Sequence, residues 1–490
     1  MAKKNYVFVN SISYIIGNLL LKACSFFLIP LYTSFLTTED YGITNLASGF
    51  YNLLAFIVTL SLHYSVGRFY ADCKNDKKQV SVLLGTIITF IIFVSTVVFG
   101  LSFLFKNQLS KYLFESLPFF PVILMSVSIA ITSGIYNIYQ DILKSMERAT
   151  LSIILSYVYF GLNLGSNIVT VVVLKLGANG VLLSTVVVNL IMIIIMFVDL
   201  FHNKLLKLGV DFKVLKELLK YSLPLMPHTL SFSISSYMTK LIITGTLSLS
   251  SLGIFSLSNQ FSSVSDIVAN STQSAYIPWM YGQMNLDNEN SRKGIARTGY
   301  ILIWLCGFLY IAIALFAEEA IIIMAADEFR EAWMYVPLSV AVFSLKIPSY
   351  YFNNFLYYNK NKTKFVFVST VVGSSVNILM TWWLVPMLAL YGSILADLAA
   401  MIVMSVVTLA FSYKDAVKIF SLKKIFVLPI VQIAFITVGI IPSFIFFSGI
   451  FSFVNVAYKF LIIFLYVAVF MLVNKLSPKN MIKSIRKNKT

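Results

Sequence analysis

Apolar runs of roughly 20 residues recur along the whole chain, separated by short polar connections and showing no period-two alternation. Backbone amides in hydrocarbon must be satisfied within the chain, so runs of this texture predict spanning helices and not barrel strands. Hydropathy places fourteen candidate spans, roughly at 8–36, 42–67, 79–105, 118–143, 150–174, 178–201, 221–247, 252–278, 297–317, 332–358, 364–386, 388–412, 424–447 and 452–474. Several spans are not apolar all round. In span 1, Ser11, Tyr14, Asn18, Lys22 and Ser25 recur at three- and four-residue spacing and share one face. Span 2 has such a face in Asn45, Ser48, Asn52, Thr59 and His63, span 7 in Thr229, Ser233, Ser236, Lys240 and Thr244, and span 8 in Asn259, Ser262, Asp266, Asn270 and Gln273. Span 10 adds Lys346 and Asn353, and span 12 adds Asp397.

A second, longer period lies over this pattern. At a shift near 212 residues, Tyr41-Gly42-Ile43 with Leu46 and Phe50 falls on Leu252-Gly253-Ile254 with Leu257 and Phe261. At shifts within one residue of 212, Thr150 and Ser156 fall on Thr363 and Ser369, and Gly180 and Leu183 on Gly392 and Leu395. Six spans per repeat is an even number, so both repeats enter from one side and are related by a pseudo-two-fold axis along the membrane normal. The expected fold is therefore an all-α polytopic membrane protein of about fourteen helices, with two six-helix lobes and two further C-terminal helices. The expected organisation is an N-terminal lobe at 1–201, a linker at 202–220, a C-terminal lobe at 221–412, and accessory helices 13 and 14 with a basic tail at 413–490. The linker is basic, with Leu205, Leu206, Leu215, Leu218 and Leu219 at helical spacing, which predicts an amphipathic segment on the membrane surface.

Composition agrees: the 490 residues are 59% hydrophobic and 12% charged, and the mean hydropathy is +0.86. The net charge of +17 forms no single aromatic-interleaved patch, which argues against nucleic acid. It follows topology instead. Alternate connections carry Arg68/Lys74/Lys77/Lys78, Lys144/Arg148, Lys204/Lys207/Lys213/Lys216/Lys220, Arg292/Lys293/Arg297, Lys360/Lys362/Lys364 and Lys414/Lys418/Lys423/Lys424, while the opposite ones hold only Lys106, Lys111, Lys175 and Arg330. With Lys3, Lys4 and the tail from Lys475 to Lys489 on the richer side, both termini are expected in the cytoplasm of a cell-membrane protein with an uncleaved first span. Cys24, Cys73 and Cys306 fit neither a disulfide framework nor a metal site. The chain has no Gly-x-x-x-x-Gly-Lys-[Ser/Thr] loop and no His-Glu-x-x-His motif, so neither cofactor, metal nor catalytic group is expected, and energy would come from an ion gradient, the membrane potential or substrate supply.

Certain stretches resemble the repeat-unit flippases (Wzx type) of the multidrug/oligosaccharidyl-lipid/polysaccharide exporter superfamily. They are Pro30-Leu31-Tyr32-Thr33 followed by Glu39-Asp40-Tyr41-Gly42, and Leu223-Pro224-Leu225-Met226-Pro227 followed by Leu252-Gly253-Ile254-Phe255-Ser256-Leu257. The resemblance implies a non-enzymatic flippase that moves undecaprenyl-pyrophosphate-linked oligosaccharide repeat units from the cytoplasmic to the outer leaflet by alternating access, for surface polysaccharide biosynthesis. It also implies a central cationic cavity lined by spans 1, 2, 7 and 8, with membrane lipids, a coupling cation (H+ or Na+) and polysaccharide polymerase machinery as partners. Lys22, Lys240 and Lys346 would offset the pyrophosphate, with Asn18 and Tyr14 beside them. Asp266, Asn270, Asn259, His63 and Asp397 would supply the polar lining and any coupling site. The rival readings are a cation-coupled multidrug exporter or lipid II flippase of the same superfamily, and, from a different class, a membrane polysaccharide polymerase or ligase.

Each residue also has a plainer reading. Serine and threonine stripes serve ordinary helix packing, Lys240 and Lys459 reach an interface by snorkelling, and Asp397 joins an intramolecular ion pair. His63 and His228 bond a neighbour, Arg68 obeys topology alone, and Glu318, Glu319, Asp327, Glu328 and Glu331 form a solvated acidic loop.

Overall fold

A computed structural model of the chain describes residues 26, 28–359, 362–447, 449 and 451–474. The expected site residues Tyr14, Asn18 and Lys22 lie outside the described residues, as does most of span 1. The rest is helical: α1 (Ile29–Phe35), α2 (Thr38–Thr59), α3 (His63–Cys73), α4 (Lys77–Leu104), α5 (Leu124–Ser145), α6 (Ala149–Asn167), α7 (Gly177–His202) and α8 (Phe212–Ser222) come first. They are followed by α9 (Met226–Thr246), α10 (Leu249–Leu286), α11 (Glu289–Leu315), α12 (Ala317–Met324), α13 (Val336–Tyr358), α14 (Lys364–Leu388), α15 (Leu390–Ala416), α16 (Leu422–Ile445) and α17 (Phe453–Val473). Ten helical segments among the described residues are long and apolar enough to cross a membrane, one of them α2 and α3 taken together. The helices α9, α10 and α13 are not among the ten. These are the ones that carry Lys240, Asp266 and Lys346, and a polar face lowers the mean hydropathy of a span. Together with these three and the first predicted span, the ten are consistent with a count of fourteen.

The chain divides into two compact units, Met1–Ser256 with Asn377–Ser393, and Leu257–Val376 with Ile394–Thr490. The first is built on an apolar core that includes Leu84, Ile87, Tyr139, Ile142, Met192 and Met196, contributed by α4, α5 and α7. In the second, Trp304, Tyr310 and Tyr351 are buried with Tyr466 of α17, whose hydroxyl donates to the Trp304 carbonyl at 3.0 Å. Large apolar side chains left exposed, such as Phe453, Phe464 and Leu472 on α17, suit a lipid-facing surface.

The motif Glu39-Asp40-Tyr41-Gly42 has a local structural explanation. Thr37 and Asp40 form a reciprocal capping box at the start of α2. Asp40 Oδ1 also accepts from the Ala178 amide at 3.0 Å, so one carboxylate ties the starts of α2 and α7. Gly42 faces the Leu249 carbonyl so closely that any Cβ would collide with it, and a Cβ on Gly253 would collide with the Thr38 carbonyl. The two glycines aligned by the repeat therefore meet each other where α2 and α10 start.

Span 2 is not one helix. It breaks between α2 and α3 at Leu60 (φ 44) and Ser61 (φ 54), both left-handed without being glycine. Such residues cost on the order of 1–3 kcal/mol each and persist where the surroundings hold them. Here Val58, Leu62 and Val66, on either side of the break, are buried in the core. After α7 the linker runs along α4, with the Gly209 amide donating to Thr89 Oγ1 at 3.1 Å and the Asp211 amide to Thr86 Oγ1 at 3.1 Å. It then forms α8, which Asp211 caps. Leu215 and Leu218 are buried, and Lys213, Lys216 and Lys220 are exposed.

Candidate functional site

Lys240 lies on the α9 face that also carries Thr244, one turn on. Its Nζ donates to the Asn45 carbonyl at 2.9 Å and to Ser48 Oγ at 3.1 Å, so the ammonium crosses from α9 to α2. Gly49 makes room for it, since a Cβ there would stand 3.0 Å from Lys240 Cδ. The approach of the two helices is fixed by Phe50, packed on Phe114 at 4.8 Å and on Tyr237 at 5.9 Å between ring centroids. Tyr237 donates its hydroxyl to the Leu113 carbonyl. On the other side of α9, Ser235 and Thr239 donate to Asn377 Oδ1 at 2.7 Å and 3.1 Å. Lys240 is thus half-buried against α2, with its ammonium bound to protein oxygens. Among the described residues its hydrogen-bond acceptors are neutral oxygens, and no carboxylate pairs with it.

Unit 2 contains a different arrangement. Asp266 Oδ1 accepts from Lys346 Nζ at 2.9 Å and from the Tyr350 hydroxyl at 2.6 Å, while Oδ2 accepts from Asn270 Nδ2 at 2.8 Å. Asp266 and Asn270 are four residues apart on α10, and Lys346 and Tyr350 four apart on α13, so each helix supplies adjacent turns of one face. The side chains are 33% and 19% exposed for Asp266 and Lys346, so the pair is partly screened. Lys346, expected as a cation for substrate, is therefore neutralised by a residue of its own unit. Asn259 is half-buried two turns before Asp266, and Asp397 is half-buried on α15 and engaged with neighbours. His63 opens α3 beside the break in span 2, with its ring 4.1 Å from that of Tyr64 and 6.1 Å from that of Phe56.

Two expectations about charged residues are corrected by the structure. Lys459 does not snorkel: it is fully buried with Glu318 and Glu319, neither of which belongs to a solvated loop. Its Nζ lies 2.6 Å from Glu319 Oε1 and 3.3 Å from Glu318 Oε2. Glu318 further accepts from the Gly449 amide at 2.9 Å and from Asn455 Nδ2 at 3.4 Å. The physical reason is that burying either sign alone is costly: here one ammonium serves two carboxylates, the Gly449 amide and Asn455 Nδ2 also donate to Glu318, and the cluster joins α17 to α12. Sequence reasoning had both halves of the cluster but no local signal that they meet. Tyr350 carried no signal in the sequence, and Ser48 stood out only as part of a polar face, not as the partner of Lys240.

Residues 7–284 match a family model described as polysaccharide biosynthesis protein. Protein 1 of the Lsg locus of Haemophilus influenzae is 21% identical over 368 residues, covering 73% of this chain and 86% of that protein. Among solved structures, an inward-facing multidrug resistance MATE family transporter of the MOP superfamily superposes with a TM-score of 0.66 at 11% identity, over 86% of this chain and 99% of its own. The lipid II flippase MurJ in an inward closed conformation gives a TM-score of 0.67 at 12% identity, over 95% of this chain and 99% of its own. At these identities the likeness is one of fold.

Proposed function

Because this chain belongs to the polysaccharide biosynthesis protein family, we propose that it is a flippase for undecaprenyl-pyrophosphate-linked oligosaccharide repeat units. It carries them from the cytoplasmic to the outer leaflet by alternating access, driven by an ion gradient or the membrane potential. In this reading 1–201 and 221–412 are the moving lobes, 202–220 is the linker between them, 413–490 holds the accessory helices and tail, and both termini face the cytoplasm. Lys22, Asn18 and Tyr14 complete the cavity, and polymerase machinery receives the product.

The observation that carries the reading is Lys240. A charged group within a span is costly, up to about 2.5–3.5 kcal/mol at its centre. The cost is usually offset by a carboxylate, as at Lys346 and Lys459. Among the described residues Lys240 has a carbonyl and a hydroxyl as its acceptors, which is the state of a cation kept for an external anion. A pyrophosphate supplies such an anion, and neutral acceptors are ones a phosphate oxygen displaces easily. The same cation would repel the positively charged cargo expected of a multidrug exporter. The test is depletion of the protein, followed by leaflet-specific labelling of undecaprenyl-linked repeat units. Accumulation in the cytoplasmic leaflet supports the flippase. Accumulation in the outer leaflet with normal flipping would replace it with a polymerase reading.

A further inference from the structure

A cavity of about 180 Å3 in unit 1 lies at the break in span 2 and takes no part in the Lys240 site. Its polar lining is Asn52, Thr59, His63, Asn137 and Asp141, with Phe56 as the aromatic member and Gly134 against its α2 wall. The volume equals about six waters of bulk liquid, which suits a single six-membered sugar ring with its hydroxyls. The charge balance is decisive. Asp141, the carboxylate of the lining, is already paired through Oδ1 with Lys144 Nζ at 2.9 Å, so its charge is balanced before any cation enters, while an anion would still meet the carboxylate. The last turn of α2, whose Phe56 and Thr59 line the cavity, also presents the negative end of a helix dipole. A neutral ligand meets neither penalty.

The available groups match hydroxyls. The amides of Asn52 and Asn137 are exposed and make no hydrogen bond to protein among the described residues, and each offers both donor and acceptor. Asp141 Oδ2 is left to accept, and the Phe56 ring gives an apolar face for the C–H side of a pyranose. The left-handed residues Leu60 and Ser61 end α2 here and restart the chain so that His63 reaches the rim. We propose that this cavity is a subsite for one uncharged pyranose unit of the transported glycan, an inference that rests on the flippase reading.

The test uses the purified full-length protein in nanodiscs and saturation-transfer NMR with methyl glycosides of neutral hexoses and of N-acetylhexosamines, with open-chain mannitol as control. The expected result is saturation transfer to at least one pyranoside and none to mannitol. The signal should fall roughly fivefold or more in an Asn52→Ala/Asn137→Ala variant, which removes exposed side chains only. It should fall likewise in Gly134→Val, whose side chain would press on Thr59, 3.1 Å from a Cβ at that position. No signal from any pyranoside, or an unchanged signal in the double variant, would overturn the subsite. Because the probes carry no lipid or phosphate, pyranoside binding that persists while depletion leaves the lipid-linked glycan normally distributed would overturn the flippase and leave the sugar site standing.

Discussion

Replacing Lys240 with methionine keeps most of the aliphatic stem that packs on Gly49 and removes only the ammonium and its two hydrogen bonds. On the structural side, two bonds to neutral oxygens are worth about 0.5–1.5 kcal/mol each. Their loss is opposed by release of the cost of a charge in the span, at most roughly 2.5–3.5 kcal/mol, so net stability should change little. On the functional side, a phosphate about 4 Å from an ammonium gains on the order of 4 kcal/mol at an effective dielectric of 20. A charge-assisted hydrogen bond measured by deletion is worth about 1.5–3 kcal/mol. Taking the smaller range, export of lipid-linked glycan should fall roughly 10- to 150-fold, with expression and the thermal midpoint in detergent nearly unchanged. Lys240→Arg should not restore it fully, because the larger head group meets the close packing against Gly49. The assay is surface glycan per inserted protein in a depleted strain. Wild-type export by the methionine variant would refute the phosphate role of Lys240.

The remaining predictions concern the other charged clusters and the helix crossing. Asp266→Asn should leave Lys346 uncompensated and destabilise the protein by about 1–3 kcal/mol, discounted for the partial exposure of the pair. Adding Lys346→Gln should recover part of that, and a thermal double-mutant cycle showing no coupling would remove the pair's importance. Lys459→Met should cost about 3–5 kcal/mol by leaving two carboxylates buried, while Lys459→Met with Glu318→Gln and Glu319→Gln should regain most of it in the same melt. Gly42→Ala should lower the melting midpoint by several degrees, since any Cβ there meets the Leu249 carbonyl; a midpoint equal to that of the wild type would sink the close crossing of α2 and α10.

What could be read from the sequence was local. The apolar runs gave the spans, and the polar faces of spans 7, 8 and 10 marked the helices whose hydropathy is too low to count as spans by composition alone. The repeat brought Gly42 and Gly253 into correspondence, though not into the contact they make, because a self-alignment contains no distances. Pairings were not readable: Asp266 with Lys346 and Lys459 with Glu318 join residues on separate helices, and charges of both signs occur on several faces. Nor was the break at Leu60–Ser61, where neither residue is a glycine or proline and the hydrophobic pattern runs on without interruption.

Flipping is measured directly by transport in a reconstituted bilayer. Purified protein is reconstituted into liposomes containing a polyprenyl-pyrophosphate-linked oligosaccharide, and the fraction of glycan cut by a glycosidase added outside is measured over time. The protein should expose the inner-leaflet half that empty liposomes protect, and Lys240→Met should slow this exposure roughly 10-fold or more. Protection equal to that of empty liposomes under every imposed ion gradient and potential would contradict the flippase reading.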